Sequence, residues 1–250
     1  MIDRSWLSTA VPIGLLDGDR WAGVGAGVLV FTRPAVWIVT ANHVVRGGNK
    51  QPLVMLLSRK DGDGVIAVDL SALPEGASWL RDLDNDVAAR IVPLPPGHAA
   101  KAVGIDRFAD DEDLVPGRQC FTIGCPYGLR GVDPTRATPL VLDGVVSGFD
   151  PEHKSLYLSV PTFPGNSGGP VLLAKVPFDP AGNLIVGQPT LLLGGIVRET
   201  AELSPEGQVP LRLGIAAPAS TIRRLLSGPA ADRQRNLVGS LAAAETNTNG

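Results

Sequence analysis

The chain of 250 residues is 44% hydrophobic and 19% charged, a balance that suits a folded globular protein and excludes a solvated, disordered chain. Its net charge is −3, with 22 Lys and Arg scattered along the sequence; capture of a phosphate backbone or an anionic lipid surface is excluded as its main activity, so neither nucleic acid nor membrane is expected as a partner. Two cysteines and three histidines give neither a disulfide framework nor a recognisable zinc set, and no metal or other cofactor is expected.

Taken in chain order, "WLSTAVPIGLL" (6–16) is apolar, but Pro12 interrupts it and Asp17 and Asp19 follow without a small-x-small cleavage site, which argues against a secretory signal. Cys120 and Cys125 read as small buried thiols rather than a disulfide, so a reducing, cytoplasmic location is expected. Apolar runs of strand length lie at 22–31, 35–40, 53–58, 65–70, 87–92, 120–124, 140–149, 155–160, 170–174, 190–197 and 211–217. Turn signals at Asp61-Gly62-Asp63-Gly64, Pro95-Pro96-Gly97 and Asp179-Pro180-Ala181-Gly182 separate several of them. This pattern predicts an all-β sandwich or barrel. Residues 41–46 read as one helical turn. "PASTIRRLLS" (218–227) reads as a closing helix with Ser220 as N-cap, Ile222, Leu225 and Leu226 on one face, and Arg223 and Arg224 on a solvated one. Residues 228–250 turn polar and read as a disordered tail.

"FPGNSGGPV" (163–171) fixes one hydroxyl, Ser167, in a loop too rich in Gly and Pro for a strand or a helix to continue. A serine nucleophile needs an exposed Oγ, backbone N–H groups aimed at a developing oxyanion and no bulky side chain in the way; flanking glycines meet the last two needs. It also needs a base. The histidines are His43, His98 and His153, all before Ser167, which excludes the Ser, acid, His order of the α/β-hydrolases and leaves His, Asp, Ser. His98 in "PPGHAAK" and His153 in "DPEHKS" read as exposed loop residues. His43 instead follows the apolar run 35–40, at a turn, where an oriented general base is placed. "RDLDNDVAARIV" offers Asp82, Asp84 and Asp86 as the acid; Asp86 leads straight into the next strand and is favoured, with Asp84 the alternative and Asp82 read as a loop residue.

Together "GAGVLV" (25–30), "TANHVV" (40–45), "DNDVAARIV" (84–92), "IGCPYGL" (123–129), "PGNSGGPV" (164–171), "LLGGIV" (192–197) and "LGIAAPASTIRRLL" (213–226) resemble the trypsin-like serine peptidases, most closely the HtrA-like catalytic domain. The resemblance implies two perpendicular six-stranded β-barrels, the first at about residues 10–100 and the second at about 115–217, with a closing helix at 218–227. It implies a serine endopeptidase with a His43, Asp86, Ser167 triad and an oxyanion hole from the N–H groups of Gly165 and Ser167. The extended substrate would pair with an edge strand at Ile196 to Glu199. Pro161, Phe163, Pro164, Val197, Arg198, Glu199 and Ala216 would line the substrate site and favour a small or medium apolar residue before the scissile bond. No PDZ domain and no zymogen cleavage are expected. The expected partner is a polypeptide substrate, one dedicated protein or a multi-protein system. The competing reading is a latent or inactive peptide-binding module on the same fold.

Overall fold

The computed structural model describes residues 2–18, 20–46, 52–71, 78–126, 137–176, 189–203 and 211–237. After a short helix α1 (Arg4–Leu7), the first lobe is built from β1 (Ala10–Asp17), β2 (Arg20–Thr32), β3 (Ala35–Ala41), β4 (Leu53–Ser58), β5 (Val65–Asp69), β6 (Leu80–Asp82), β7 (Val87–Ile91) and β8 (Val103–Gly104). They pair in the order β5-β4-β1-β2-β3-β7-β6, and β8 adds to β2 in parallel. The second lobe contains β9 (Gln119–Gly124), β10 (Leu140–Asp150), β11 (Ser155–Leu158), β12 (Pro170–Lys175), β13 (Thr190–Leu203) and β14 (Leu211–Pro218). These six close into a barrel, β10-β11-β14-β13-β12-β9. Helix α2 (Ala219–Leu226) follows.

The all-β expectation holds, and each of the eleven apolar runs carries a strand. The first lobe departs from a six-stranded barrel: among the described residues it is one eight-stranded sheet whose end strands β5 and β6 do not pair. The extra strands are those with weak sequence signals. β6 and β8 are very short, and β1 is the apolar stretch that Pro12 interrupts. Within β1, β4 pairs only with Ile13 to Leu15, so Pro12 lies where β1 has one hydrogen-bonded neighbour and its missing N–H is tolerated.

Alternation divides most of the buried side chains into three large clusters, beside a small one of Val54, Leu56 and Ala137. One fills the first lobe with Ile13, Leu29, Ile38, Met55, Leu57 and Leu70. A second fills the barrel with Cys120, Leu156, Leu158, Val171, Leu173 and Val197. The third lies between the lobes, joining Trp37, Val39 and Val87 to Ile123, Leu172 and Ile196, and it takes in Ile222 and Leu226 of α2. Cys120 and Cys125 are both buried and unpaired with each other, and burial pushes the Cys120 thiol up to about 12. Among the described residues no helix is long and apolar enough to cross a membrane.

The C-terminal expectations need three corrections. Helix α2 is capped by Pro218, which ends β14 in extended conformation, and Ser220 lies inside the first turn. Arg223 and Arg224 are not merely solvated: they pair with Asp110 at 2.7 Å and Asp82 at 2.9 Å. Residues 229–237, read as the start of a disordered tail, form a further helical segment, α3. Ala231 joins the cluster between the lobes and Gln234 is buried, contacts that a polar composition does not announce. Asp179-Pro180-Ala181-Gly182 and the last residues of the tail lie outside the described residues.

Candidate active site

The turn carrying His43 exists because β3 ends in small residues. Thr40 and Ala41 are fully buried, and Thr40 Oγ1 donates to Ala26 O at 2.6 Å, tying β3 to β2. A one-turn 3-10 helix, Asn42–Val45, then buries Asn42, Val44 and Val45 and leaves the His43 side chain about half exposed, at 45%. Arg81 holds this turn from the neighbouring strand β6, its guanidinium donating to Asn42 Oδ1 at 2.5 Å and Val45 O at 3.4 Å.

Asp86 meets that turn from the β6–β7 connection. Its carboxylate accepts from His43 N at 3.0 Å through Oδ1 and contacts His43 Nδ1 at 2.6 Å through Oδ2. Asp86 O accepts from Asn42 N at 2.9 Å, so backbone and side chain of Asp86 are both bound to the turn that carries His43. Asp86 adopts φ 54°, a left-handed conformation that costs free energy in a non-glycine residue unless its surroundings enforce it. Asp84 is exposed. Asp82, read as a loop residue, ends β6 instead. Burial pushes the Asp82 carboxyl up, but hydrogen bonds from Asn85 and Arg224 outweigh it and hold the carboxyl below its ordinary value.

Main-chain hydrogen bonds shape the serine loop. Asn166 N donates to Phe163 O at 2.9 Å across Pro164 and Gly165, and Gly165 has φ 97°. Proline at the second position and a positive-φ glycine at the third make this a type II turn. Ser167 O accepts from Ala26 N at 2.8 Å, seating the loop on the first lobe. Gly168 N donates to Val197 O at 2.7 Å, and Val197 N to Gly169 O at 2.9 Å, tying it to the second. Gly168 is required for this seat: at φ 83°, an added Cβ would lie 2.1 Å from Thr40 Oγ1 and 2.2 Å from Ala26 O. Among the described residues no hydrogen bond engages the N–H of Gly165 or of Ser167. Ser167 Oγ donates to Arg198 O at 3.3 Å, not to the imidazole of His43.

The remaining candidates are placed less uniformly. His153 is exposed and paired with Asp150 at 2.8 Å, away from this cluster. His98, expected to be exposed, is half-buried in a bridge with Arg59. Pro161 and Pro164 are exposed, Phe163 is half-buried, and the buried Thr162 between them, which sequence reasoning passed over, faces Gly214. The side chains of Val197 and Ala216 are in the barrel core, 1% and 0% exposed, so they offer a ligand no side-chain surface. The stretch from Ile196 to Glu199 is not an edge strand, because β13 lies between β12 and β14 in a closed barrel. Its pairing with β12 ends at Ile196 opposite Pro170, so among the described residues those beyond Val197 have a side open to another chain. A bulge falls at Arg198, between Val197 opposite Ala216 and Glu199 opposite Ile215. The Arg198 side chain is 13% exposed while that of Glu199 is 59% exposed, so of these two candidate lining residues Glu199 is the one open to solvent. Of the "IGCPYGL" segment, Cys125 supports the serine loop by donating from its N–H to Gly165 O at 3.3 Å; Tyr127, Gly128 and Leu129 lie outside the described residues.

A comparison with curated proteins returned no match. The family model described as a trypsin-like peptidase domain matches residues 25–190, from the β2 strand that seats Ser167 O through the His43, Asp86 and Ser167 loops. With well over half of the chain matched and the fold in agreement, the protein belongs to the trypsin-like peptidase family.

Proposed function

We propose that the protein is a serine endopeptidase acting through His43, Asp86 and Ser167. The observation that carries this reading is the two-point contact of the Asp86 carboxylate with His43, at 3.0 Å to the backbone N and 2.6 Å to Nδ1, beside a serine loop seated on the same lobe. With Nδ1–H donating to Asp86, Nε2 keeps its lone pair and serves as general base. Ser167 Oγ attacks the scissile carbonyl carbon and its proton passes to Nε2. The tetrahedral oxyanion accepts hydrogen bonds from Gly165 and Ser167 N–H, both open among the described residues. Collapse breaks the C–N bond, the amine leaves with the proton held on Nε2, and water hydrolyses the acyl-enzyme by the same route.

A polypeptide is the substrate this reading requires, held in extended form along the open side of β13 beyond Val197. Pro161, Phe163 and Pro164 favour a small or medium apolar residue before the scissile bond, and two buried cysteines not joined in a disulfide suit a reducing compartment. The hydrogen bond of Ser167 Oγ to Arg198 O favours a second reading, a resting form in which substrate or a partner turns the hydroxyl toward His43.

Both are tested by digestion of casein with the wild type and Ser167→Ala, together with fluorophosphonate labelling. Loss of the nucleophile is expected to lower turnover by about 10⁶-fold, with a single label on Ser167 in the wild type. Labelling without cleavage would favour the resting form, and neither labelling nor cleavage by folded protein would overturn the endopeptidase reading.

A further inference from the structure

The acid's loop is tied to the end of the chain. Asp82 Oδ1 accepts from Asn85 N at 3.1 Å and from Asn85 Nδ2 at 2.9 Å, and its Oδ2 accepts from Asn85 Nδ2 at 3.0 Å and from the Arg224 guanidinium of α2 at 2.9 Å. Asn85 is buried, 7% exposed, and it immediately precedes the left-handed Asp86. A second tie lies one strand upstream, where Gln234 Nε2 of α3 donates to Ser78 O at 2.7 Å, just before β6.

We propose that α2 and α3 brace the β6–β7 hairpin and that Asp82 is a positioning residue for Asp86. This rests on the triad reading above. Asp82 fixes Asn85 through backbone and side chain together, which leaves Asp86 one conformation in which both carboxylate oxygens meet His43. The Asp86 φ of 54° needs such a holder. The Asp82 side chain is 15% exposed and that of Arg224 60%, so the carboxylate is the anchored partner and the guanidinium the exposed end of the brace. An exposed ion pair of this kind contributes little to global stability; its effect lies in where it holds the hairpin.

The test uses the full chain with Asp82→Ala, Asp82→Asn and Arg224→Ala, a small ester substrate, and the far-downfield proton resonance of a histidine Nδ1–H bonded to a carboxylate. Asp82→Ala is expected to lower kcat by about 10- to 100-fold, the range that a small misplacement of a reacting group costs, with KM unchanged and the resonance shifted or lost. Asp82→Asn, which keeps an acceptor for Asn85, recovers most of both signals; Arg224→Ala gives a smaller loss of the same kind. A lower melting temperature for Asp82→Ala with wild-type kcat and resonance would overturn the proposal. Should Asp82→Ala not fold, Arg224→Ala and Gln234→Ala decide, and wild-type kcat and resonance in both would overturn it. The resonance also separates the two readings: if it responds to Asp82→Ala while the wild type hydrolyses nothing, the brace stands and the peptidase reading fails.

Discussion

The serine loop and the acid's loop solve the same problem, holding one side chain in place, by opposite means. Residues 163–169 are fixed by backbone: among the described residues the hydrogen bonds that seat the loop on Ala26 and Val197 use main-chain atoms, and close approach is what the glycines supply. Residues 82–86 are fixed by side chains, with Asp82, Asn85, Arg81 and Asn42 bonding to one another and to the neighbouring backbone. A backbone seat tolerates no added atom, whereas a side-chain network fails by degrees as members are removed.

The largest expected effect follows from the first half of that contrast. Gly168 and Gly117 share φ 83°, but a Cβ at Gly117 meets nothing within 4 Å while one at Gly168 meets Thr40, Ala26 and Ala41 at under 3 Å. Gly117→Ala is expected to cost about 1 kcal/mol from backbone conformation alone, and Gly168→Ala about 3 kcal/mol or more, with hydrolysis abolished. Equal urea midpoints for the two variants would show that the seat is looser than described. Next comes Thr40→Val, which keeps the shape and removes the donor to Ala26 O. It leaves a fully buried carbonyl short of its partner and is expected to cost about 1 to 2 kcal/mol by denaturant titration.

The contrast also explains what the sequence made legible. The serine loop was readable because its requirements are local: Pro164-Gly165 sets a turn, small residues follow, and a single hydroxyl stands out among them. His43 was readable from the apolar run before it, and Asp86 from the strand after it. The brace was not, since Asp82 and Arg224 lie 142 residues apart and neither carries a local pattern; the same is true of α3, whose buried Gln234 gives no apolar periodicity. Substrate-site residues were the least legible. Whether Val197, Arg198 or Ala216 faces outward depends on a bulge in β13 and on barrel closure, and a one-residue change in either reverses the faces.

Arg198 sharpens this point with a smaller effect of opposite sign. Its Nε and Nη1 are buried without a hydrogen-bond partner among the described residues, an arrangement that costs stability. Arg198→Met keeps the length and removes those donors, so it is expected to raise stability by about 1 kcal/mol in a thermal melt. A loss of similar size would mean that the guanidinium has an acceptor that outweighs its burial.

The smallest effect concerns pH and tests the side-chain network directly. Burial raises the Asp82 carboxyl, the Asn85 and Arg224 hydrogen bonds lower it further than burial raises it, and the folded value falls below the ordinary 3.8. A depressed carboxyl binds its proton more readily in the unfolded chain. Its contribution to stability is therefore fully present above that ordinary value and is lost as pH falls through the folded one. Asp82→Asn removes the titration, so the stability difference between wild type and variant should be constant near neutrality and shrink between about pH 5 and pH 2. Arg224→Ala should narrow the same window without closing it, because the Asn85 bonds remain. A difference that stays constant down to pH 2 would mean that the Asp82 carboxylate is no better held in the folded protein than in the unfolded chain, and the side-chain account of the acid's loop would then have to rest on Asn85 and Arg81 alone.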